Sequence, residues 1–399
     1  MASIRILVTV SGHDTPGITA KLTGVLCQHP TIILDITQAV IHGLLSLSLL
    51  FECQGAHENL LQDLQREAGR LGLKMEHQIL KNGHAKTPTL PLHHYAVTLI
   101  ADELTAQSIH RVARALAEWG MNITAIKRLS EADFSCAEML ASSPEKADRR
   151  KELLALAREI GVDIALQEEG LYRRAKRLVV LDMDSTLIQS EVIDELAREK
   201  GAYEEVAKIT REAMGGKLDY DTSLKLRCEK LKGLTMEDLH RVFSRVELTD
   251  GAKDLIRVLK KLGYKTALIS GGFTFVAEKL KEKLGIDYAY ANTLELEGSA
   301  SGKTVTGRVI PPIINAQRKA DLLELIAQQE KIELDQVIAI GDGANDLLML
   351  EKAGLGIAFN AKPAVREKAD LALSRKNLRS ILYLLGLSEK DVAEAIQSE

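Results

Sequence analysis

The chain has 399 residues, of which 46% are hydrophobic and 27% charged, and its formal net charge is −4. These values are typical of a globular protein of about two or three domains, and the scattered basic residues exclude a charged surface for nucleic acid. No apolar run approaches the roughly 18 residues of a membrane span, the N-terminus resembles a strand rather than a signal peptide, and the four cysteines are isolated, so we expect a cytoplasmic protein.

The first 170 residues contain one order of predicted elements twice. The first copy has strand Ile4–Ser11, helix Thr15–Cys27, strands Ile32–Ile41 and Leu45–Cys53, helix Glu58–Leu71 and strand Lys74–Leu80. After a linker at 82–92, the second has strand Tyr95–Ala101, helix Ser108–Trp119, strands Asn122–Leu129 and Ser135–Ser142, helix Lys146–Ile160 and strand Val162–Gln167. The βαββαβ order predicts two ferredoxin-like domains, at residues 1–82 and 93–170. Because this fold has many functions, a pair that binds no ligand stays an alternative.

From residue 178 the pattern of predicted elements changes. Short apolar strands at 178–181, 266–269, 337–340 and 355–358 alternate with helical stretches. This alternation predicts an α/β domain over residues 178–399, with a Rossmann-like parallel sheet covered by helices on both faces. A mostly helical insertion at about 188–248 is too long for a crossover helix and is predicted to form a cap. In such sheets the ligand site lies beyond the carboxyl ends of the strands.

Four polar motifs lie close to these strands in sequence. They are D-M-D-S-T (182–186), S-G-G (270–272), R-K-A-D (318–321) and G-D-G-A-N-D (341–346). Each alone has an ordinary explanation, such as a turn, a solvated lysine or a chance pair of surface acids. Three follow directly on apolar strands, so we expect all four to meet at one edge of the sheet. Nine of the ten histidines precede residue 111, so a site there must use carboxylates, lysine, backbone amides or metal.

Two other phosphate-handling motifs are excluded by inspection. No cysteine is followed six positions later by arginine, which excludes the loop of thiol phosphatases. G-S-A-S-G-K-T (298–304) has three residues between its glycines where a Walker A loop has four, and a strand-like run follows it. We interpret it as a hairpin turn.

Taken together, the four motifs resemble those of the haloacid-dehalogenase (HAD) superfamily of aspartate-nucleophile phosphatases. The resemblance implies hydrolysis of a phosphate ester with Mg²⁺ as cofactor. Mg²⁺ prefers oxygen ligands, and the family pattern assigns it the carboxylates of Asp182 and Asp342 and the main-chain carbonyl of Asp184. Residues two apart in a strand share a face, so both acids of the D-x-D pair can face one pocket.

The same resemblance implies a catalytic role for each motif. Asp182 would attack phosphorus and form an aspartyl-phosphate, while Asp184 would protonate the leaving alkoxide and then deprotonate the hydrolytic water. Lys319 would add a second positive charge beside the phosphate. Ser270 and the Gly271 amide would bind phosphate oxygens.

Residues 182–233 more closely resemble the phosphoserine phosphatase family, through E-V-I-D-E-L-A (191–197), A-M-G-G (213–216) and S-L-K-L-R (223–227). That resemblance implies hydrolysis of O-phospho-L-serine to L-serine and phosphate, the last step of serine biosynthesis. Glu191 would contact the substrate ammonium and Arg227 its carboxylate, which a guanidinium binds as a planar fork. Met214 would pack near the substrate, and Asn345 would orient it or its phosphate.

Two rival functions stay open from the sequence. Glu191 and Arg227 also have an ordinary interpretation as charges on a helix surface, in which case the chain would be another capped HAD phosphomonoesterase. A rival of another class is an amino-acid sensor with a silent phosphatase domain, although such a domain need not keep the four motifs.

The N-terminal pair resembles ACT domains, which commonly bind amino acids and regulate metabolic enzymes. S-G-H-D-T-P-G-I-T-A (11–20) matches their ligand loop, so Asp14–Gly17 is a candidate site for serine as a feedback effector. The second copy has A-D-E-L-T-A-Q-S (101–108) instead and lacks the D-x-P-G signature. Since ACT domains often pair across subunits, the resemblance also implies a homodimer.

Overall fold

The structure is a computed structural model, which describes residues 3–54, 57–80, 92–130, 134–146, 148–299 and 302–397. The chain divides into two compact units, Met1–Pro91 and Leu92–Glu399. The predicted linker up to residue 91 and the tip of the predicted hairpin turn, residues 300 and 301, lie outside the described residues. Among the helices of the described residues, none combines the length and the apolar character needed to cross a membrane.

The first unit is a βαββαβ domain. Its elements are β1 (Ser3–His13), α1 (Ile18–Leu26), β2 (Thr31–Ile41), β3 (Leu44–Gln54), α2 (His57–Arg70) and β4 (Lys74–Leu80). The sheet is antiparallel in the order β2-β3-β1-β4. Helix α1 begins three residues later than predicted because Gly17, with φ 94°, forms its N-cap and ends the irregular loop before it. The predicted ferredoxin-like order is confirmed for this copy.

The core of this unit lies between one face of the sheet and its two helices. In β3, alternate residues from Leu45 to Cys53 are buried, which is the period of a half-buried strand. The outer strand β2 is exposed along almost its whole length, and Ile32 near its start and Ile41 at its end are 63% and 69% exposed. Apolar side chains on an outer strand are an unusual surface for a monomer.

The second unit starts with another domain of the same order. Its elements are β5 (His93–Ala101), α3 (Ala106–Glu118), β6 (Asn122–Ser130), β7 (Ser135–Ser143), α4 (Arg150–Ile160) and β8 (Asp163–Glu168). The sheet order is β6-β7-β5-β8, so the prediction of a repeated fold is confirmed. Helix α4 begins at Arg150, four residues after the predicted Lys146, and the Arg149 side chain makes no capping hydrogen bond. The prediction of its start was therefore wrong.

The rest of the chain alternates strands and helices. In order they are α5 (Leu171–Arg174), β9 (Leu178–Leu181), α6 (Val192–Lys200), α7 (Tyr203–Met214), α8 (Tyr220–Glu229), α9 (Met236–Ser244), α10 (Ala252–Lys261), β10 (Lys265–Phe273), α11 (Thr274–Leu284), β11 (Tyr288–Ser299), β12 (Gly302–Ile310), α12 (Ala316–Glu330), β13 (Val337–Gly341), α13 (Leu347–Lys352), β14 (Leu355–Phe359), α14 (Pro363–Arg366), β15 (Leu371–Leu373), α15 (Ser380–Leu384) and α16 (Glu389–Gln397). The predicted α/β fold class is confirmed.

These strands form one seven-stranded sheet in the order β12-β11-β10-β9-β13-β14-β15. All neighbours run parallel except β11 and β12, which form an antiparallel hairpin. Every residue of β9 and β13 is buried, as expected for strands covered on both faces. After β9 the chain continues to β10 on one side of β9, and it later adds β13 on the other side of β9. The crevice for a ligand is therefore expected at the carboxyl ends of β9, β10 and β13.

Helices α6 to α9 form the inserted cap. Its ends meet where Ile188 and Leu248 pair as an isolated antiparallel bridge. On its far side the cap contacts the β11–β12 hairpin, since Gly233 donates to the Val305 carbonyl and Val305 donates back to that of Leu234, both at 2.8 Å. The hairpin thus supports the cap from within the same domain.

The second βαββαβ domain is joined to the α/β domain by buried contacts. Strands β8 and β15, the outer strands of their sheets, lie side by side, and the Ser374 amide donates to Asp163 at 2.9 Å. Arg173 on α5 is buried and pairs with Glu138 on β7. These contacts make the two domains one structural unit.

Candidate active site

The chain makes one wide turn after β9, over residues Met183–Leu187. Asp182 still belongs to the sheet, since its amide donates to the Ile340 carbonyl of β13 at 2.9 Å. Asp184 is extended, whereas Ser185 has φ 58°, a left-handed conformation that costs a residue with a Cβ on the order of 1 kcal/mol. The Ser185 hydroxyl donates to Glu191 at 2.9 Å, which holds the turn against the start of the cap.

A buried lysine lies between two of the carboxylates. Lys319, in the first turn of α12, is fully buried, and its Nζ is 2.7 Å from Asp182 and 2.6 Å from Asp346. Asp346 is also fully buried, and its other oxygen accepts from the Gly343 amide at 2.9 Å. Both oxygens of Asp346 are thus engaged within the protein, so this residue positions Lys319.

The site carries more negative charge than Lys319 can balance. Burial, followed by the Asp346 carboxylate, raises the pKa of Asp182 well above its usual value, against the opposing effect of Lys319. Burial and the Asp346 and Glu191 carboxylates raise the pKa of Asp342 to about 7. Burial alone would lower the pKa of Lys319, but the charges of Asp182 and Asp346 outweigh it and raise that pKa. A cation is needed to keep all these carboxylates ionised.

The carboxyl group of Asp184 lies in a different environment. It accepts hydrogen bonds from the Val192 amide at 2.9 Å and from the Ser270 hydroxyl at 3.4 Å. Burial and the Glu191 charge raise the pKa of Asp184 to about 8. A carboxyl with this pKa can carry a proton near neutral pH, which suits a general acid.

The S-G-G motif lies within the last residues of β10, where regular pairing with β11 is interrupted between Ile269 and Phe273. The Gly272 amide donates to the Ser270 hydroxyl at 2.8 Å. A Cβ on Gly272 would overlap the Asp184 carboxylate, so only glycine allows this close approach. Irregular backbone of this kind can present amides to an anion.

The four motifs therefore converge at one edge of the sheet. Of the cap residues predicted to bind substrate, Glu191 is near, because its charge acts on both Asp184 and Asp342. Arg227 is half-buried on α8, and its charge acts on Tyr220, beside the S-G-G motif. Met214 is 67% exposed, with its sulfur 3.7 Å from Lys362 in the loop after β14. Met214 therefore does not belong to the buried group formed by Asp182, Asp184, Lys319 and Asp346.

Asn345 is the remaining predicted substrate ligand. It is half-buried in the turn after β13, and its Oδ1 lies so close to Gly343 that a Cβ there would overlap it. This places Asn345 in the same turn as Asp342 and Asp346. Its predicted contact with substrate or phosphate stays a prediction.

Three functional candidates were not predicted from the sequence. Asp346 is the last residue of G-D-G-A-N-D, so the motif itself contained the signal. Tyr220 donates to the Gly271 carbonyl at 3.3 Å, and Asn292, fully buried in β11, donates to the same carbonyl at 2.8 Å. The sequence around Tyr220 and Asn292 does not signal these contacts, since both depend on the tertiary fold.

The carboxylates of Asp182, Asp342 and Asp346 each bring one oxygen within 4.8 Å of the others, which fits a divalent cation. Oxygen donors of this kind suit Mg²⁺, Ca²⁺ or Mn²⁺ rather than a thiolate-preferring metal. The Asp184 carboxylate is not part of this group, and its assignment as a ligand through its carbonyl oxygen stays a prediction. The residues present therefore fit a divalent metal.

Comparison with known families divides the chain into three matched regions. Residues 176–354 match the haloacid dehalogenase-like hydrolases, and residues 5–78 and 93–167 each match an ACT domain family. The limits 1–82, 93–170 and 178–399 themselves stay a prediction.

Two curated relatives match along nearly the whole chain. The phosphoserine phosphatase of Streptomyces coelicolor is 42% identical over 98% of this chain and 94% of the relative. That of Mycobacterium tuberculosis is 38% identical over 99% of this chain and 96% of the relative. The solved structure of a probable phosphoserine phosphatase from Vibrio cholerae is 34% identical, with a TM-score of 0.59, over 76% of this chain and 88% of that one. The chain belongs to the phosphoserine phosphatase family, within the haloacid dehalogenase-like hydrolases.

Proposed function

We propose that the protein hydrolyses O-phospho-L-serine to L-serine and phosphate, the reaction that ends serine biosynthesis. The observation that carries this proposal is the buried Lys319, held between Asp182 and Asp346, in a chain whose full-length relatives are phosphoserine phosphatases. This arrangement supplies a nucleophile, a proton donor and a cation at one edge of the sheet.

We further propose that the cofactor is Mg²⁺, held by Asp182 and Asp342 with the main-chain carbonyl of Asp184. When bound, Mg²⁺ would neutralise charge between these carboxylates and the substrate phosphate. The raised pKa values of Asp182 and Asp342 support this assignment, because they report carboxylates that lack sufficient compensating charge.

In the proposed reaction, Asp182 attacks phosphorus and forms an aspartyl-phosphate while the serine alkoxide leaves. Asp184 donates a proton to that alkoxide and then accepts one from the water that hydrolyses the intermediate. Lys319, the Ser270 hydroxyl and the Gly271 amide hold the phosphoryl oxygens as their charge changes. The division of work between the two acids agrees with their partners, since the Lys319 ammonium lies against Asp182, whereas Asp184 accepts hydrogen bonds from a backbone amide and a serine hydroxyl.

Substrate choice is assigned to the cap. A zwitterionic head group needs one protein group of each sign, and Glu191 and Arg227 supply these from α6 and α8. Met214, at the end of α7, would complete the apolar side of the pocket, and Asn345 would orient the substrate or its phosphate. Cap closure would exclude water until the aspartyl-phosphate has formed.

The ACT domains are proposed to bind an amino-acid effector, with serine at the loop Asp14–Gly17 of the first domain. Gly17 forms the N-cap of α1 without a side-chain hydrogen bond, so the first amides of this helix remain available to a carboxylate. We also propose a homodimer, because a second copy would cover the exposed apolar β2 strand. Light scattering on the full chain tests the dimer, and serine titration by calorimetry tests the effector.

Phosphate release from phosphoserine tests the main proposal. Activity is expected with Mg²⁺, and it should disappear in EDTA and in the variant Asp182→Asn. Equal activity of wild type and Asp182→Asn would refute the nucleophile assignment. No release from the wild type would favour a sensor with a silent domain.

A second pair of variants separates phosphoserine from other small esters. Glu191→Gln and Arg227→Ala should each raise KM for phosphoserine by roughly tenfold or more, the loss expected for one charge-assisted hydrogen bond, and should change KM for an ester without ammonium and carboxylate groups much less. Equal changes for both esters would favour another capped phosphomonoesterase.

A further inference from the structure

The first turn of cap helix α8 contacts the core of its domain at two adjacent residues. The Tyr220 hydroxyl donates to the Gly271 carbonyl at 3.3 Å, and Asp221 accepts from Asn315 Nδ2 at 3.1 Å. Gly271 belongs to the S-G-G motif, and Asn315 is the N-cap of α12, the helix that carries Lys319. One turn of the cap therefore reaches both core segments that are proposed to hold the phosphate.

The Gly271 carbonyl is fixed from two directions. Besides Tyr220, it accepts from Asn292 Nδ2 at 2.8 Å, and Asn292 Oδ1 in turn accepts from the Ile314 amide at 2.8 Å. Asn292 is fully buried, so this part of the network belongs to the rigid core. Tyr220 is the donor that the cap supplies.

The peptide that Tyr220 contacts is the one that orients Ser270. The carbonyl of Gly271 and the amide of Gly272 belong to the same planar peptide group, and that amide donates to the Ser270 hydroxyl at 2.8 Å. A hydrogen bond to the carbonyl on one side therefore restricts the amide, and with it the Ser270 hydroxyl, on the other. A Cβ on Gly271 would overlap the Tyr220 hydroxyl, which shows how closely the two segments approach.

We infer that Tyr220 and Asp221 are positioning residues that couple closure of the cap to the geometry of the S-G-G motif and of the Lys319 helix. The inference rests on the proposed function, because it assigns the network a role in phosphoserine hydrolysis. Tyr220 and Asp221 contact neither the carboxylates of the metal cluster nor Lys319 through a hydrogen bond in the described residues, so their effect is transmitted through Gly271 and Asn315.

Tyr220→Phe removes the hydroxyl and keeps the ring. We expect kcat for phosphoserine to fall about five-fold, the loss typical of one neutral hydrogen bond, with a smaller change in KM because Glu191 and Arg227 are intact. The matched control is Tyr264→Phe, which removes a tyrosine hydroxyl at the opposite end of β10 and should keep wild-type kinetics.

Asp221 provides a second pair of variants. Asp221→Ala removes the acceptor for Asn315 and should lower kcat a few-fold, whereas Asp221→Asn keeps an amide oxygen at that position and should recover most of it. If the two contacts act together, the double variant Tyr220→Phe/Asp221→Ala loses less than the product of the two single losses.

Hydrogen exchange of the full chain with Mg²⁺ gives a readout that does not depend on turnover. Peptides covering residues 268–275 should exchange faster in Tyr220→Phe than in wild type and in Tyr264→Phe. Unchanged exchange there, or equal kinetic losses in Tyr220→Phe and Tyr264→Phe, would overturn the inference. If the wild type failed to hydrolyse phosphoserine, the proposed function would fail, while the exchange comparison would still decide whether Tyr220 orders the S-G-G motif.

Discussion

Lys319 offers a direct test of how burial changes the contribution of an ion pair to the free energy of unfolding. Its side chain is fully buried and bonds Asp182 at 2.7 Å and Asp346 at 2.6 Å. Lys319→Met keeps the length of the side chain but leaves two buried carboxylates without their cation. Breaking a buried pair from one side costs roughly 3–5 kcal/mol, a large share of the roughly 5–15 kcal/mol that stabilises a typical domain.

The chain contains a matched control for this change. Lys352 forms an ion pair with Glu324 at the same 2.6 Å distance, but these side chains are 34% and 38% exposed. Lys352→Met should change the free energy of unfolding little, because water already screens that pair. The contrast between the two lysines isolates burial from distance.

Urea unfolding in EDTA, followed by circular dichroism, measures both variants against wild type. Lys319→Met should unfold at clearly lower urea than Lys352→Met, and the double variant Lys319→Met/Asp346→Asn should recover part of the loss because one of the unpaired charges is gone. Unfolding of Lys319→Met at the wild-type urea concentration would refute the reasoning, since it would mean that the carboxylates do not depend on this cation.

Three further outcomes are expected. Gly272→Ala should lower kcat/KM roughly 10- to 100-fold, because the new Cβ overlaps the Asp184 carboxylate; a wild-type rate would contradict this. Arg173→Met should lower the free energy of unfolding of the second unit by roughly 3–5 kcal/mol, measured in urea, since it leaves buried Glu138 unpaired. Mg²⁺ at 100 times its Kd should stabilise the wild type by about 2.7 kcal/mol over EDTA, and Asp342→Asn should lose most of this gain; calorimetric scans with and without metal measure it.

Much of the fold follows from local sequence patterns. The repeated βαββαβ order and the parallel strands were predictable because strands such as β9 are continuous apolar runs between polar motifs. The start of α4 was not, since Arg149 gives no capping signal in sequence or structure. The short strand β15 was also missed, because its three residues pair only through the tertiary sheet.

Some residues of the candidate site could likewise be predicted from the sequence, and others could not. The closeness of Asp182 and Asp342 was predictable, because each directly follows a parallel strand of the same sheet and the carboxyl ends of such strands lie at one edge. The motif G-D-G-A-N-D includes Asp346, but the pairing of Asp346 with Lys319 depends on the packing of α12 against the turn after β13. The contact of Tyr220 was not predicted for a related reason. Its partner is the backbone carbonyl of Gly271, and every residue has such a carbonyl, so the sequence does not indicate which one is bound.

The side-by-side outer strands β8 and β15 set where this chain can be cut. A cut at residue 91 would leave the second unit whole, with both strands still in contact. A cut just before β9 would follow the border between family matches, yet it would remove the strand that contacts the outer strand β15, together with Asp163, the acceptor for the Ser374 amide. Bare strand edges promote aggregation. The smallest fragment that folds without aggregating is therefore expected to begin near Leu92 and to include the second ACT domain together with the α/β domain.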